Sequence, residues 1–163
     1  MAKRDPAATM RAMAASLPPC VSFGWRRTTD AYRIDPEYGY APLGEREFFL
    51  EASTATAGEI EAARDVALQA CAASSRNTVM AVMAELGRLR ICTASRSSGT
   101  EDTKLMVRVY TDRIAQFPED VAVWVIRQWS ETEKWWPSLG ELVTRMDELM
   151  VERRAILAEL ERL

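Results

Sequence analysis

The sequence predicts an all-α fold: a small helical bundle with a long C-terminal helix, preceded by an extended, aromatic-rich N-terminal arm. Three observations carry that expectation. Beyond residue 54, apolar residues recur at three- and four-residue spacing and show no strand-like alternation. Two stretches, "TAGE" at 56–59 and "SLGE" at 138–141, have the form of a capping box. In that motif a hydroxyl accepts from the third backbone N–H while a carboxylate reaches back. Residues 1–50 read differently, because "CVSFGWRRTTDAYRIDPEYGYAPLGEREFFL" is rich in Tyr, Gly and Pro and has no helical period. The chain therefore divides into an extended, partly irregular arm over 1–50 and a helical domain over 54–163, with an exposed loop at about 93–103.

Taken in order, Asp5-Pro6 is a cap and first-turn pair, and Met10, Met13 and Leu17 follow at helical spacing until Pro18-Pro19. The aromatic arm that follows is expected to hold short strand-like pieces, laid over the helical body or over a partner. After the first capping box, Ile60, Ala63, Ala67, Ala70 and Cys71 form a narrow small-residue stripe suited to close packing. Val79, Val82, Met83, Leu86 and Leu89 make a second stripe, and Leu105, Met106, Val109, Tyr110 and Ile114 a third. Pro118 fits the first turn of the next helix, where Glu119 and Asp120 meet the positive end of the helix dipole. That helix carries Val121, Val125 and Trp129 on one face. The second capping box opens a helix whose apolar stripe runs from Leu139 to Leu163, a span of roughly 37 Å.

Composition narrows the function classes. With 163 residues, 48% hydrophobic and 28% charged, the chain has globular proportions and the size of one domain. A net charge of −3 argues against a strongly basic nucleic-acid protein and leaves room only for a local patch. The absence of histidine removes Ser-His-Asp triads, Cys-His dyads and His-ligated metals. Cys20, Cys71 and Cys92 lie too far apart for a CxxC site and read as reduced thiols, with Cys71 and Cys92 as small apolar residues. No carboxylate spacing defines an acid/base pair, and no glycine loop cradles a phosphate. The expectation is no enzyme, no cofactor and no metal. The N-terminus lacks the apolar core of a secretion signal, and no apolar run approaches the roughly 18 residues of a membrane span. A cytoplasmic chain without membrane contact is expected.

Three features are candidates for function. Trp124, Trp129, Trp135 and Trp136 crowd into one helix and the turn after it, "KWWPSLGEL". Adjacent residues of an extended segment point apart, so one of Trp135 and Trp136 is expected in the core and the other partly exposed as a partner contact. The last helix has a heptad-like seam at 142, 146, 149, 153, 156, 160 and 163, apolar except for Arg153. Its second half, "VERRAILAELERL", is expected to reach beyond the bundle. There Arg153 and Arg154 are candidate partner contacts, and a homodimer through this helix is one outcome. Finally, Arg88, Arg90 and Arg96 sit near one helix end and its loop as candidate phosphate contacts.

Read whole, residues 105–157 resemble a helical module of phage and prophage replication proteins, including small helicase loaders of the replisome-organiser type. The likeness rests on "LMVRVYTDRIAQ", then "FPEDV", a Trp-bearing helix "AVWVIRQWSET", the turn "KWWPS", and a helix that opens "LGEL" and continues to "RRAIL". In that module an aromatic-Pro-Ser/Thr-x-x-Glu-Leu turn joins the last two helices. The matching residues are Tyr110, Phe117, Pro118, Trp129, Trp135 and Trp136, followed by Pro137, Ser138, Glu141 and Leu142. The resemblance covers about a third of the chain and leaves the N-terminal half unmatched. It implies a small non-enzymatic adaptor in a bacterial host cell that binds a replicative helicase and helps deliver it to the origin. Two alternatives stay open: a DNA-binding regulator using the Arg88–Arg96 region, and a phage-encoded inhibitor of a host protein.

Overall fold

The computed structural model describes residues 5–27, 32–35, 39–42, 46–72, 76–94 and 100–163. Within them run α1 (Pro6–Ser16), β1 (Ser22–Arg27), β2 (Tyr32–Asp35), β3 (Gly39–Pro42) and β4 (Arg46–Glu51). The helices α2 (Ala57–Cys71), α3 (Arg76–Cys92), α4 (Thr100–Ile114), α5 (Glu119–Thr132) and α6 (Leu139–Arg162) follow. No helix among the described residues is long and apolar enough to cross a membrane.

Local chemistry accounts for the helix starts. Asp5 caps α1 by accepting from the Ala7 N–H at 2.9 Å, and Pro6 stands where a missing N–H costs nothing. Both capping boxes form. The Thr56 N–H donates to Glu59 at 2.8 Å and the Ser138 N–H to Glu141 at 2.7 Å, while each hydroxyl accepts in return. The Thr56 interactions hold the Glu59 carboxyl below the usual carboxylate range. Pro118 occupies the cap of α5 rather than its first turn, and Glu119 and Asp120 follow inside the helix.

The arm corrects the all-α expectation. It begins with a helix and continues as two antiparallel strand pairs, β1 with β4 and β2 with β3. Aromatic residues suit a pleated surface packed on one side. The register sets Phe23 opposite Leu50 and Trp25 opposite Phe48, placing all four on one face. Phe23, Phe48 and Leu50 pack against the helices. The period-2 signal is short, Val21-x-Phe23-x-Trp25 in one stretch and Phe48-x-Leu50 in the other. Gly24 allows the close approach on the other face, since a Cβ there would lie 3.1 Å from the Phe49 ring.

Two hydrophobic cores share α6. One gathers α3, α4, α5 and the first half of α6 around Leu86, Ile114, Ile126 and Met146. The other joins α1, α2, the β1–β4 pair and the second half of α6 around Met13, Ala63, Ala67 and Leu160. The second half of α6 therefore does not reach beyond the bundle, because Ile156 and Leu160 are fully buried. Of the expected coiled-coil seam, Leu142, Met146, Arg153, Ile156 and Leu160 are buried within the chain, while Leu149 and Leu163 are exposed. The α4 stripe is also displaced. Thr111 and Ile114 are buried and Val107 packs on the core, while Leu105 and Val109 face outward. Cys92, expected as a small apolar residue, is exposed; Cys71 is half-buried.

Arg153, expected as a partner contact, is wholly buried at the junction of the two cores. Its guanidinium grips the Asp120 carboxylate with both terminal nitrogens, one of them at 3.2 Å. The same nitrogens donate to the Ala70 carbonyl at 3.0 Å and the Pro6 carbonyl at 3.3 Å. One side chain of α6 thus ties α1, α2 and α5 together. Burial pushes the Asp120 carboxyl upward, but the hydrogen bonds and charge of Arg153 outweigh it and hold the group below the ordinary range. Stability from this pair is fully present above the unfolded aspartate's range. It is lost as pH falls below about 4, through the depressed value of the folded state. Arg153→Ala and Asp120→Ala should each cost about 3–5 kcal/mol in urea denaturation, whereas Arg153→Met with Asp120→Leu should cost far less than the sum. An additive double variant, or unfolding midpoints unchanged between pH 7 and pH 3, would contradict this role.

Candidate docking site at the tryptophan turn

Residues 133–138 join α5 to α6, and four helices fasten their backbone. The chain runs extended through Trp136 because Pro137 disfavours helical dihedrals before it. This extended piece forms a parallel bridge with Ala94 just beyond α3: the Ala94 N–H donates to Lys134 O at 2.9 Å and the Trp136 N–H to Ala94 O at 3.0 Å. From α5 the Trp129 indole N–H donates to the Trp135 carbonyl at 2.9 Å. From α4 the Tyr110 hydroxyl donates to the Pro137 carbonyl at 2.9 Å. The Ser138–Glu141 box then closes the turn onto α6, and Pro137 and Leu142 are buried at its base. Most of the residues that carried the family resemblance therefore serve to fix this turn.

The two tryptophans separate. Trp136 packs on the core, its ring centroid 5.6 Å from that of Tyr110. Trp135 stands 53% exposed. Beside them lies a cavity of about 550 Å3 with Tyr110, Trp129, Trp135 and Trp136 in its walls. Its polar lining includes Glu133, Glu141 and Arg145. The Arg145 guanidinium lies 4.3 Å from the Trp129 ring centroid and bonds Glu133 at 2.9 Å, a cation held by a ring face and a carboxylate together. Sequence reasoning missed Glu133 and Arg145. Glu133 caps the end of α5 and Arg145 lies within α6, and no local spacing announces the pair.

The remaining candidates lie elsewhere. Arg154 is exposed and paired with Asp147 at 2.8 Å. It sits some four turns along α6 from Ser138, roughly 22–24 Å away along the helix axis. Arg153 is buried and unavailable to a partner. Arg88 is exposed and 3.9 Å from Glu85, which also bonds Arg127; Arg90 is only partly exposed. Two positions apart on α3, Arg88 and Arg90 face about 200° away from each other and share no surface. Arg96 lies outside the described residues, as does the rest of 95–99 within the expected loop, and α4 already begins at Thr100. Among the described residues no three His, Cys, Asp or Glu side chains are grouped to hold a metal ion.

Neither a scan against protein-family models nor searches of curated proteins and solved structures give a match. The site is therefore read from its own geometry. Trp136→Ala should destabilise the fold by about 2 kcal/mol, less than a fully buried tryptophan because the ring is only partly covered. Trp135→Ala should stay within about 0.5 kcal/mol of the parent. Tyr110→Phe should cost about 1 kcal/mol for its single hydrogen bond to the turn. Urea denaturation of the three variants checks all of these, and equal losses at Trp135 and Trp136 would contradict the assignment.

Proposed function

We propose that the chain is a non-enzymatic adaptor that acts by protein–protein contact at the Trp135 face, and that its partner is a replicative helicase in phage DNA replication. The observation that carries the docking reading is Trp135, more than half exposed on a backbone fastened from four helices. Tryptophan is enriched at binding hot spots, and a side chain on a backbone already held in place leaves less chain to order on binding. The identity of the partner rests on the resemblance across residues 105–157, whose signature residues build this same turn. The regulator reading draws less support, since Arg88 and Arg90 share no face on which to follow a phosphate backbone.

Affinity capture of the tagged chain from host lysate, with nuclease present and at low and moderate salt, tests the proposal. Mass spectrometry should identify a replicative helicase that survives nuclease. Trp135→Ala should lose it at least about tenfold while melting at the parent temperature. Recovery of nucleic acid alone, disappearing as salt rises, would overturn the reading in favour of DNA binding.

A further inference from the structure

We infer that the groove between α3 and α4 is a second docking surface, and that it takes an amphipathic helix of a protein partner with carboxylates beside its apolar face. This surface is separate from the tryptophan turn. Lys104 lines the groove and Met106 the tryptophan cavity, and residues two apart on α4 face about 200° away from each other. The groove holds about 500 Å3, with Val79 and Met83 on the α3 side and Val107 on the α4 side. Thr111 is buried at its base, and its hydroxyl is already satisfied by donating to the Val107 carbonyl at 2.7 Å.

The apolar surface continues from the groove along α3. Met80, Met83 and Ile91 are 64%, 44% and 87% exposed, and with Gly87 they fall within an arc of about 80° around the helix. Single exposed apolar residues are ordinary, whereas a stripe that runs into an apolar groove is the mark of a contact surface. Gly87 points the same way. A glycine inside a helix weakens it relative to alanine, and a Cβ at this position would meet nothing within 4 Å. The packing of the chain itself gives no reason for it, but a partner backbone passing close over α3 does.

The shape and charge of the surface select the occupant. From Met80 to Ile91 the stripe is roughly 16 Å long, about three turns of a docked helix. An extended strand would find no row of unpaired backbone groups on a helix face. The unbranched side chains of Met80 and Met83 adapt to whatever apolar groups meet them. Lys104 and Arg108 stand one turn apart at the edge of the groove, and among the described residues neither enters an ion pair. Asp112 is the one carboxylate beside them in the lining. A helix with carboxylates along its apolar face gives both cations a partner, whereas a basic helix is repelled. A small anion would leave the methionines uncovered.

The test is an NMR titration of the full chain, labelled at its methionine methyls, with two capped alanine-based helical peptides. Both carry leucine at every third or fourth position, with glutamate beside the leucines in one and lysine in its twin. Met80→Leu and Met83→Leu assign the two reporter signals among the eight methionines. The glutamate peptide should shift both methyls and bind about tenfold more tightly than the lysine twin. Lys104→Glu combined with Arg108→Glu should abolish or reverse that preference. Gly87→Leu should weaken the glutamate peptide at least about tenfold without lowering the melting temperature of the free chain. Equal binding of the two peptides, no shift at Met80 and Met83, or full affinity in the Gly87→Leu variant would overturn the inference. Dimerisation of the free chain in sedimentation, with the same methyls shifting on dilution, would place a second copy on the groove and overturn it as well.

Discussion

The buried pairing of Arg153 with Asp120 is the contact on which the arrangement of this chain depends. Taking two charges out of water is expensive, and only good geometry returns the cost. Here the carboxylate is gripped by both terminal nitrogens, and two backbone carbonyls accept the neighbouring protons. Those carbonyls belong to the first residue of α1 and the last turn of α2, so the pair holds the N-terminal half of the chain against the C-terminal half. It also sets α6 in one position. Slipping the helix by a turn would bury an arginine without its carboxylate, which is far costlier than losing an apolar contact.

With the junction fixed, α6 acts as a spine through both cores, and its capped start becomes a fixed end on which the tryptophan turn is built. The turn adds little core of its own. Its backbone is tied instead by Ala94, Tyr110 and Trp129, which satisfies several polar groups of an irregular segment and leaves the Trp135 ring outside. The proposed function follows from this order of dependence. Packing and hydrogen bonds determine where Trp135 stands.

The legible and illegible parts of this fold divide on physical grounds. Both capping boxes and the long last helix could be read directly, because their signals lie within a few consecutive residues. The arm's strand-like character could be read from its composition, but the pairing of β1 with β4 could not, because it depends on a partner more than twenty positions away. In α4 the buried face turned toward Val107 and Thr111 rather than Leu105 and Val109, since helical spacing fixes a stripe without fixing which neighbour covers it. Arg153 is the residue whose place in the fold is least legible from the sequence. A charged residue between Met150 and Ile156 in an apolar seam was visible, but Asp120 had a sufficient local explanation at a helix N-terminus, so nothing in the text joined them. Of the candidate site, the exposed tryptophan and the rigid turn could be anticipated, whereas the Glu133–Arg145 pair and the cavity arise only when α5 and α6 meet.

Native-state hydrogen exchange of the Trp136 backbone N–H tests most directly whether the tryptophan turn is a fixed platform. That group donates to Ala94 across the turn. It should open with the same free energy as the amides of Ile126 in one core and Ala67 in the other, so that turn and both cores unfold as one unit. Exchange of the Trp136 amide through a low-energy local opening, with the cores still protected, would contradict the account: Trp135 would then ride on a mobile loop.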